Sequence, residues 1–137
     1  MRKLEDVLEV NKQSNIMIRY IYSLIGGETP FSDNVLFTGS QLFGDAEENS
    51  DWDFVVLVEK IEDKFVDLLE KEGFEECGPQ CYSGNGFHIV RRRSDNLNLI
   101  ITECIMSFSL WQRCNNTAEL LHLDKQQRAI LFYNIID

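Results

Sequence analysis

The chain lacks any apolar run of membrane-span length, any internal repeat, any low-complexity segment and any linker long enough to divide it. The first absence excludes a transmembrane helix. The others make a single domain over residues 1–137 the expectation, and 44% apolar residues suffice for its core. The opening MRKLEDVLEV is acidic within its first turns and does not read as a signal peptide, so a cytoplasmic protein with reduced thiols is expected. Cysteine is also too sparse for a metal framework. Cys77 and Cys81 in ECGPQC, with His88 following, lack a second matching ligand pair. With Cys104 and Cys114 they read as one loop cysteine and three thiols acting as small apolar side chains. Nothing suggests a Cys–His nucleophile.

Positive charge is scarce, with 13 Lys and Arg against 23 Asp and Glu and a net charge of −10. The imbalance is local. Fourteen acids and three bases fall between Asp33 and Glu76, whereas from Cys77 onward six bases face five acids, with Arg91, Arg92 and Arg93 contiguous. Nonspecific binding to DNA or another nucleic-acid backbone requires a basic face, so it is not expected. A local phosphate site remains compatible with this distribution.

Periodicity supplies the elements. Met17, Ile18, Ile21, Leu24 and Ile25 recur at helical spacing, so residues Leu4 to Ile25 are expected to form a helix ended by GGETP. NVLFTG reads as a strand, Gly39-Ser40 as the opening of a helical turn, and DWDFVVLVE as a central strand. Ile61, Phe65, Leu68 and Leu69 mark a helix that stops near Gly73. GFHIVRR and LNLIIT are two strands joined by the turn RRSDN, a hairpin. Helical patterns follow from about Cys104 to Leu121 and from Asp124 to Ile135, with Asp124 as an N-cap. The order predicts an α+β fold, a small mixed sheet flanked by helices.

One stretch carries chemistry: TGSQLFGDAEENSDWDFVV, from Thr38 to Val56. On a strand, Asp51 and Asp53 project from one face, about 6–7 Å apart at Cα. Two carboxylates so placed repel each other unless a cation sits between them, and magnesium takes one or two carboxylates together with substrate phosphates. Trp52, between them, turns to the core. Gly39 lets a phosphate approach the backbone because no Cβ intervenes, and the free N–H groups and Ser40 hydroxyl of the turn point at it. The bland alternative makes Asp51 and Asp53 part of a solvated acidic turn. The order of strand, Gly-Ser, ten residues, Asp-x-Asp and apolar strand favours a nucleoside triphosphate with its metal.

That pattern, with Gly44-Asp45 and Ser50-Asp51 inside it, resembles the DNA polymerase beta-type nucleotidyltransferase superfamily, most closely its minimal members. More loosely, through NLNLIITECIMSFSLWQRC, the chain is similar to small nucleotidyltransferase-like proteins of tailed bacteriophages, which would place it in a host cytoplasm. The resemblance implies a mixed sheet of five or fewer strands. It also implies that Mg2+ (or Mn2+) on Asp51 and Asp53 orients a nucleoside triphosphate such as ATP. An acceptor hydroxyl on a protein, RNA or small molecule would attack the α-phosphorus, releasing pyrophosphate and transferring most simply AMP.

Catalytic members usually carry a third carboxylate on a later strand. The matching positions here hold Asn96 or Asn98, with Asn98 favoured; the alternative leaves these residues as ordinary turn chemistry or as an edge-strand Asn98 facing solvent. An Asn cannot take a proton, and a vacant general base costs ~10²–10⁴ in rate. Asp95 and Glu103 are nearby but less well matched. Arg91 and Arg93 share a face and either meet the triphosphate or balance the acidic half. Arg113 and Arg128 are single helix residues that reach toward a phosphate or remain structural. His88, Phe108, Trp111, Phe132 and Tyr133 read as packing residues. So short a chain leaves little room for an acceptor domain, which points to a partner protein or a homodimer. A second functional class stays open: the same fold kept as a binding module with little catalysis, a phage protein whose acidic surface binds and inhibits a host enzyme.

Overall fold

The structure is a computed structural model and describes residues 3–26, 33–76 and 86–136. Its elements run α1 (Leu4–Ile25), β1 (Val35–Thr38), α2 (Gly39–Phe43), β2 (Trp52–Leu57), α3 (Asp63–Lys71), β3 (Glu75–Glu76), β4 (Phe87–Arg92), β5 (Leu97–Thr102), α4 (Ile105–Leu120) and α5 (Lys125–Ile136). The five strands form one mixed sheet in the order β1-β2-β5-β4-β3. Only β2 and β5 run parallel, and α3 lies in the long connection that such a pairing needs. This is the α+β class expected from the element order.

Alternation along the strands separates two cores. Phe54, Val56, Leu97, Leu99, Ile101 and Val90 face α1 and α3, meeting Ile21, Leu24 and Leu69. Val55, Ile89 and Ile100 face the other way, with Phe108, Trp111 and Cys114 of α4. Trp52 packs on the first side and stacks on Phe37 with ring centroids 6.0 Å apart. Phe108 and Trp111 are buried as expected, while β5 is the central strand of the sheet and not an edge.

Local chemistry ends the helices where the sequence suggested. Gly26 caps α1 in the left-handed conformation, its N–H donating to the Tyr22 carbonyl. The rest of the GGETP segment, like Cys77 and Cys81, lies outside the described residues. At α5, the Gln127 N–H donates to Asp124 Oδ1 at 2.8 Å and the Asp124 N–H to Gln127 Oε1 at 2.9 Å, a reciprocal capping box. The helix therefore starts at a fixed residue. Cys114 is buried, but Cys104 is exposed before α4, so it is not an apolar packing residue. His88 is likewise less enclosed than its strand suggested, with its side chain 43% exposed and 3.6 Å from Glu76.

A buried polar network fastens α4 to β1. Thr38 Oγ1 donates to Asn115 Oδ1 at 2.7 Å and accepts from Trp111 Nε1 at 3.0 Å. Asn115 Nδ2 donates to the Phe37 carbonyl at 2.9 Å. Thr38→Val keeps the shape and removes both hydrogen bonds of the hydroxyl. Chemical denaturation should show a loss of about 2–3 kcal/mol, and a change below about 0.5 kcal/mol would show that the network contributes little.

Candidate functional site

The sheet register brings distant residues into one row. Thr38 pairs with Asp53, Asp53 with Asn98 and Asn98 with Arg91. Cross-strand partners project from the same face, and Thr38 fixes that face as the one covered by α4. Asn98 is therefore the residue beside the aspartate pair. Asn96 sits in the turn before β5 with φ 55°, contributing its carbonyl to the Trp52 N–H at 2.7 Å.

Asp53 is the electrostatic centre of this row. Burial and, to a lesser degree, repulsion from Asp51 push its carboxyl up to about 6, against the hydrogen bond from Asn98 that lowers it. That hydrogen bond runs from Asn98 Nδ2 to Asp53 Oδ1 at 2.9 Å. The amide oxygen of Asn98 is buried and has no hydrogen-bond partner among the described residues. An uncompensated carboxylate beside an unsatisfied amide oxygen is costly in a folded protein.

Gly39 touches the same carboxylate. It has φ +82°, and a Cβ there would lie 2.1 Å from Asp53 Oδ2 and 3.0 Å from its Cγ. Glycine is required twice over, by backbone conformation and by the space that Asp53 occupies. The Gly-Ser turn and the Asp-x-Asp pair are thus parts of one site.

Asp51 precedes β2 and lies 3.8 Å from Arg91 Nη2, with both side chains partly exposed. Arg91 is accordingly a neighbour of the aspartates and already has a carboxylate partner. Arg93 is exposed in the turn after β4. Arg92, between them, is committed to structure. It pairs with Asp95, donates to Tyr20 Oη at 2.7 Å and lies over the Phe74 ring. Asp95 is thereby engaged away from the site, and Glu103 Oε1 accepts from the Ile61 N–H at 3.2 Å.

A cleft of about 420 Å³ opens on Asp53, Gly39 and Ser40, and Phe43, Trp111, Lys125, Arg128, Phe132 and Tyr133 also line it. Sequence reasoning left Tyr133 as a packing residue. It is 67% exposed and lines the cleft. Lys125 was missed altogether. The available signal was the helical spacing of Lys125, Arg128, Ala129, Phe132 and Tyr133, which puts all five on one stripe of α5. Arg128 is buried, forms an ion pair with Asp45, donates to the Leu123 carbonyl at 3.0 Å and lies over the Phe43 ring. It joins α5 to the end of α2.

Among the described residues, no cluster of three or more His, Cys, Asp or Glu side chains is placed to hold a metal ion. The oxygen donors at this site are the two carboxylates, since Asn98 turns its Nδ2 to Asp53 and buries its own oxygen. Such a set fits one hard divalent cation completed by ligand phosphates, and it lacks the third carboxylate of a two-metal centre. No described helix is long and apolar enough to cross a membrane. Compared with family models and with curated protein sequences, the chain matches none.

Proposed function

We propose that the chain is a nucleotidyltransferase of the polymerase beta type, binding a magnesium–nucleoside triphosphate and transferring its nucleoside monophosphate to a hydroxyl on a protein or RNA. The observation that carries this reading is the half-buried Asp53 carboxylate, held between Gly39 and Asn98 and opening on an aromatic cleft. Asp51 and Asp53 would hold a bound Mg2+, which would supply positive charge against the triphosphate. Ser40 and the N–H groups of its turn receive phosphate oxygens. Asn98 donates a hydrogen bond that fixes the Asp53 carboxylate but takes no proton, so the acceptor must be deprotonated by a group of its own or by solvent. Turnover is correspondingly slow, by ~10²–10⁴ relative to a site with a positioned base. The working compartment is the cytoplasm, that of the host if the chain is phage-encoded.

The test is transfer of label from α-labelled nucleotides, with Mg2+ or Mn2+ and host lysate, onto any macromolecule. Labelling is expected and should vanish in Asp53→Ala. Asn98→Asp should raise it by ~10-fold or more where deprotonation limits the rate. A second reading is favoured by Asn98 itself and by the 14 acids against three bases between Asp33 and Glu76. On it, the domain is a binding module for a host enzyme, its acidic surface imitating nucleic acid. Absence of labelling, with capture of a host protein that survives Asp51→Ala and Asp53→Ala, would replace the transferase by the module.

A further inference from the structure

We propose that α5 sets the ligand preference of the cleft. In this arrangement Lys125 holds the polyphosphate and Tyr133 with Phe132 supports the base, so the cleft selects triphosphates while discriminating little among bases. The inference rests on the nucleotide reading above and concerns residues that reading does not use.

The stripe on α5 has a direction. Lys125 and Arg128 occupy its first turn, Ala129 follows, and Phe132 and Tyr133 complete it two turns later. Eight residues of helix span about 12 Å, comparable to the length of an extended nucleotide. The two cations are not equivalent. Arg128 is occupied by Asp45, the Leu123 carbonyl and the Phe43 ring. Lys125 is exposed, and among the described residues it pairs with no carboxylate. It is therefore the cation of the cleft available to a polyphosphate.

Among the described residues, the other end offers rings and few polar atoms. Phe132 meets Trp111 edge-on with centroids 5.5 Å apart, and Tyr133 is exposed beside it. The hydroxyl of Thr38 and the indole N–H of Trp111 are joined to each other, and Thr38 also to Asn115. On the nucleotide reading, Ser40 and Asp53 are taken up by phosphate and metal. The Tyr133 phenol remains, and one rotatable hydroxyl serves as donor or acceptor and so fits every base. A site that reads polar groups by hydrogen bonds rejects a wrong ligand by about 10⁴-fold or more, whereas an apolar one discriminates by about 10–200-fold. Stacking favours the larger purine rings and tolerates all four bases.

The experiment measures Kd for Mg-ATP, Mg-GTP, Mg-CTP, Mg-UTP, AMP and inorganic tripolyphosphate with the intact chain and with Lys125→Ala, Tyr133→Ala and Asp53→Ala. The four triphosphates should fall within about a hundredfold of one another, purines tightest. Lys125→Ala should weaken triphosphates and tripolyphosphate about tenfold and AMP far less. Tyr133→Ala should weaken all four triphosphates about tenfold and leave tripolyphosphate unchanged. A base spread above a hundredfold overturns the inference. So does nucleotide binding that needs Asp53 but is unchanged in Lys125→Ala or Tyr133→Ala, while the nucleotide reading itself survives. Failure of every nucleotide to bind overturns both. Lys125 and Tyr133 are exposed, so circular dichroism should show both variants folded.

Discussion

Asp53→Asn is expected to raise the melting temperature above pH 6 and, at the same time, to abolish metal-dependent nucleotide binding. The folded carboxyl titrates near 6 against an ordinary value of 3.8, chiefly because it is buried. Well below pH 3.8 the group is protonated in both states and contributes no difference. As pH rises toward 6, the folded chain still holds the proton that the unfolded chain has released, and stability falls through that window. Above pH 6 the accumulated loss is roughly 3 kcal/mol. Asn is nearly isosteric, still accepts from Asn98 and carries no charge. Thermal unfolding at pH 7.5 should therefore shift upward by on the order of 5–10 °C, with little change at pH 4. Added Mg2+ and nucleotide should stabilise the wild type at pH 7.5 and leave Asp53→Asn unaffected. A variant less stable than wild type at pH 7.5 would mean that the charge is compensated within the protein, removing the case for a cation.

The second large effect concerns Gly39. Gly39→Ala introduces a Cβ at 2.1 Å from Asp53 Oδ2, 3.0 Å from Cγ and 3.1 Å from Cβ, in a backbone with φ +82°. Rotation of the carboxylate relieves only the first of these contacts. The expected cost is about 2–4 kcal/mol by denaturant unfolding, with nucleotide binding lost. The two causes separate in a double-mutant cycle. In the Asp53→Ala background the carboxylate is gone, so Gly39→Ala should cost at least about 1 kcal/mol less, the remainder being left-handed strain and the contact with the Cβ that alanine keeps. Strict additivity would show that Gly39 and Asp53 do not share a site.

Much of this site was legible in the sequence because its parts are local. Gly39 with Ser40 and Asp51 with Asp53 flank consecutive strands, and strand-edge chemistry within nineteen residues can be read from spacing alone. The choice between Asn96 and Asn98 was harder, since it depends on the register of the parallel β2–β5 pair, set by how the crossover packs. The φ of 55° at Asn96 settles its place in the turn. Strand β3 escaped notice because two exposed glutamates carry no periodicity. The arginines of β4 drew attention as a contiguous cluster, yet strand alternation sends Arg92 into a structural network and leaves Arg91 beside Asp51. The cations that line the cleft, Lys125 and Arg128, are far in sequence from Gly39, Ser40 and Asp53. Only the packing of α5 beside α4 brings them to Asp53. The sequence pattern predicts that Gly39 makes room for a phosphate, and the fold adds that it makes room for a carboxylate.

The most direct test is calorimetric titration of the purified chain with a nucleoside triphosphate, in Mg2+ and then in excess chelator. Wild type should bind in Mg2+ and lose most of its affinity in chelator, and the Asp51→Ala, Asp53→Ala double variant should bind weakly in both. Equal binding by wild type and double variant, indifferent to Mg2+, would contradict the account.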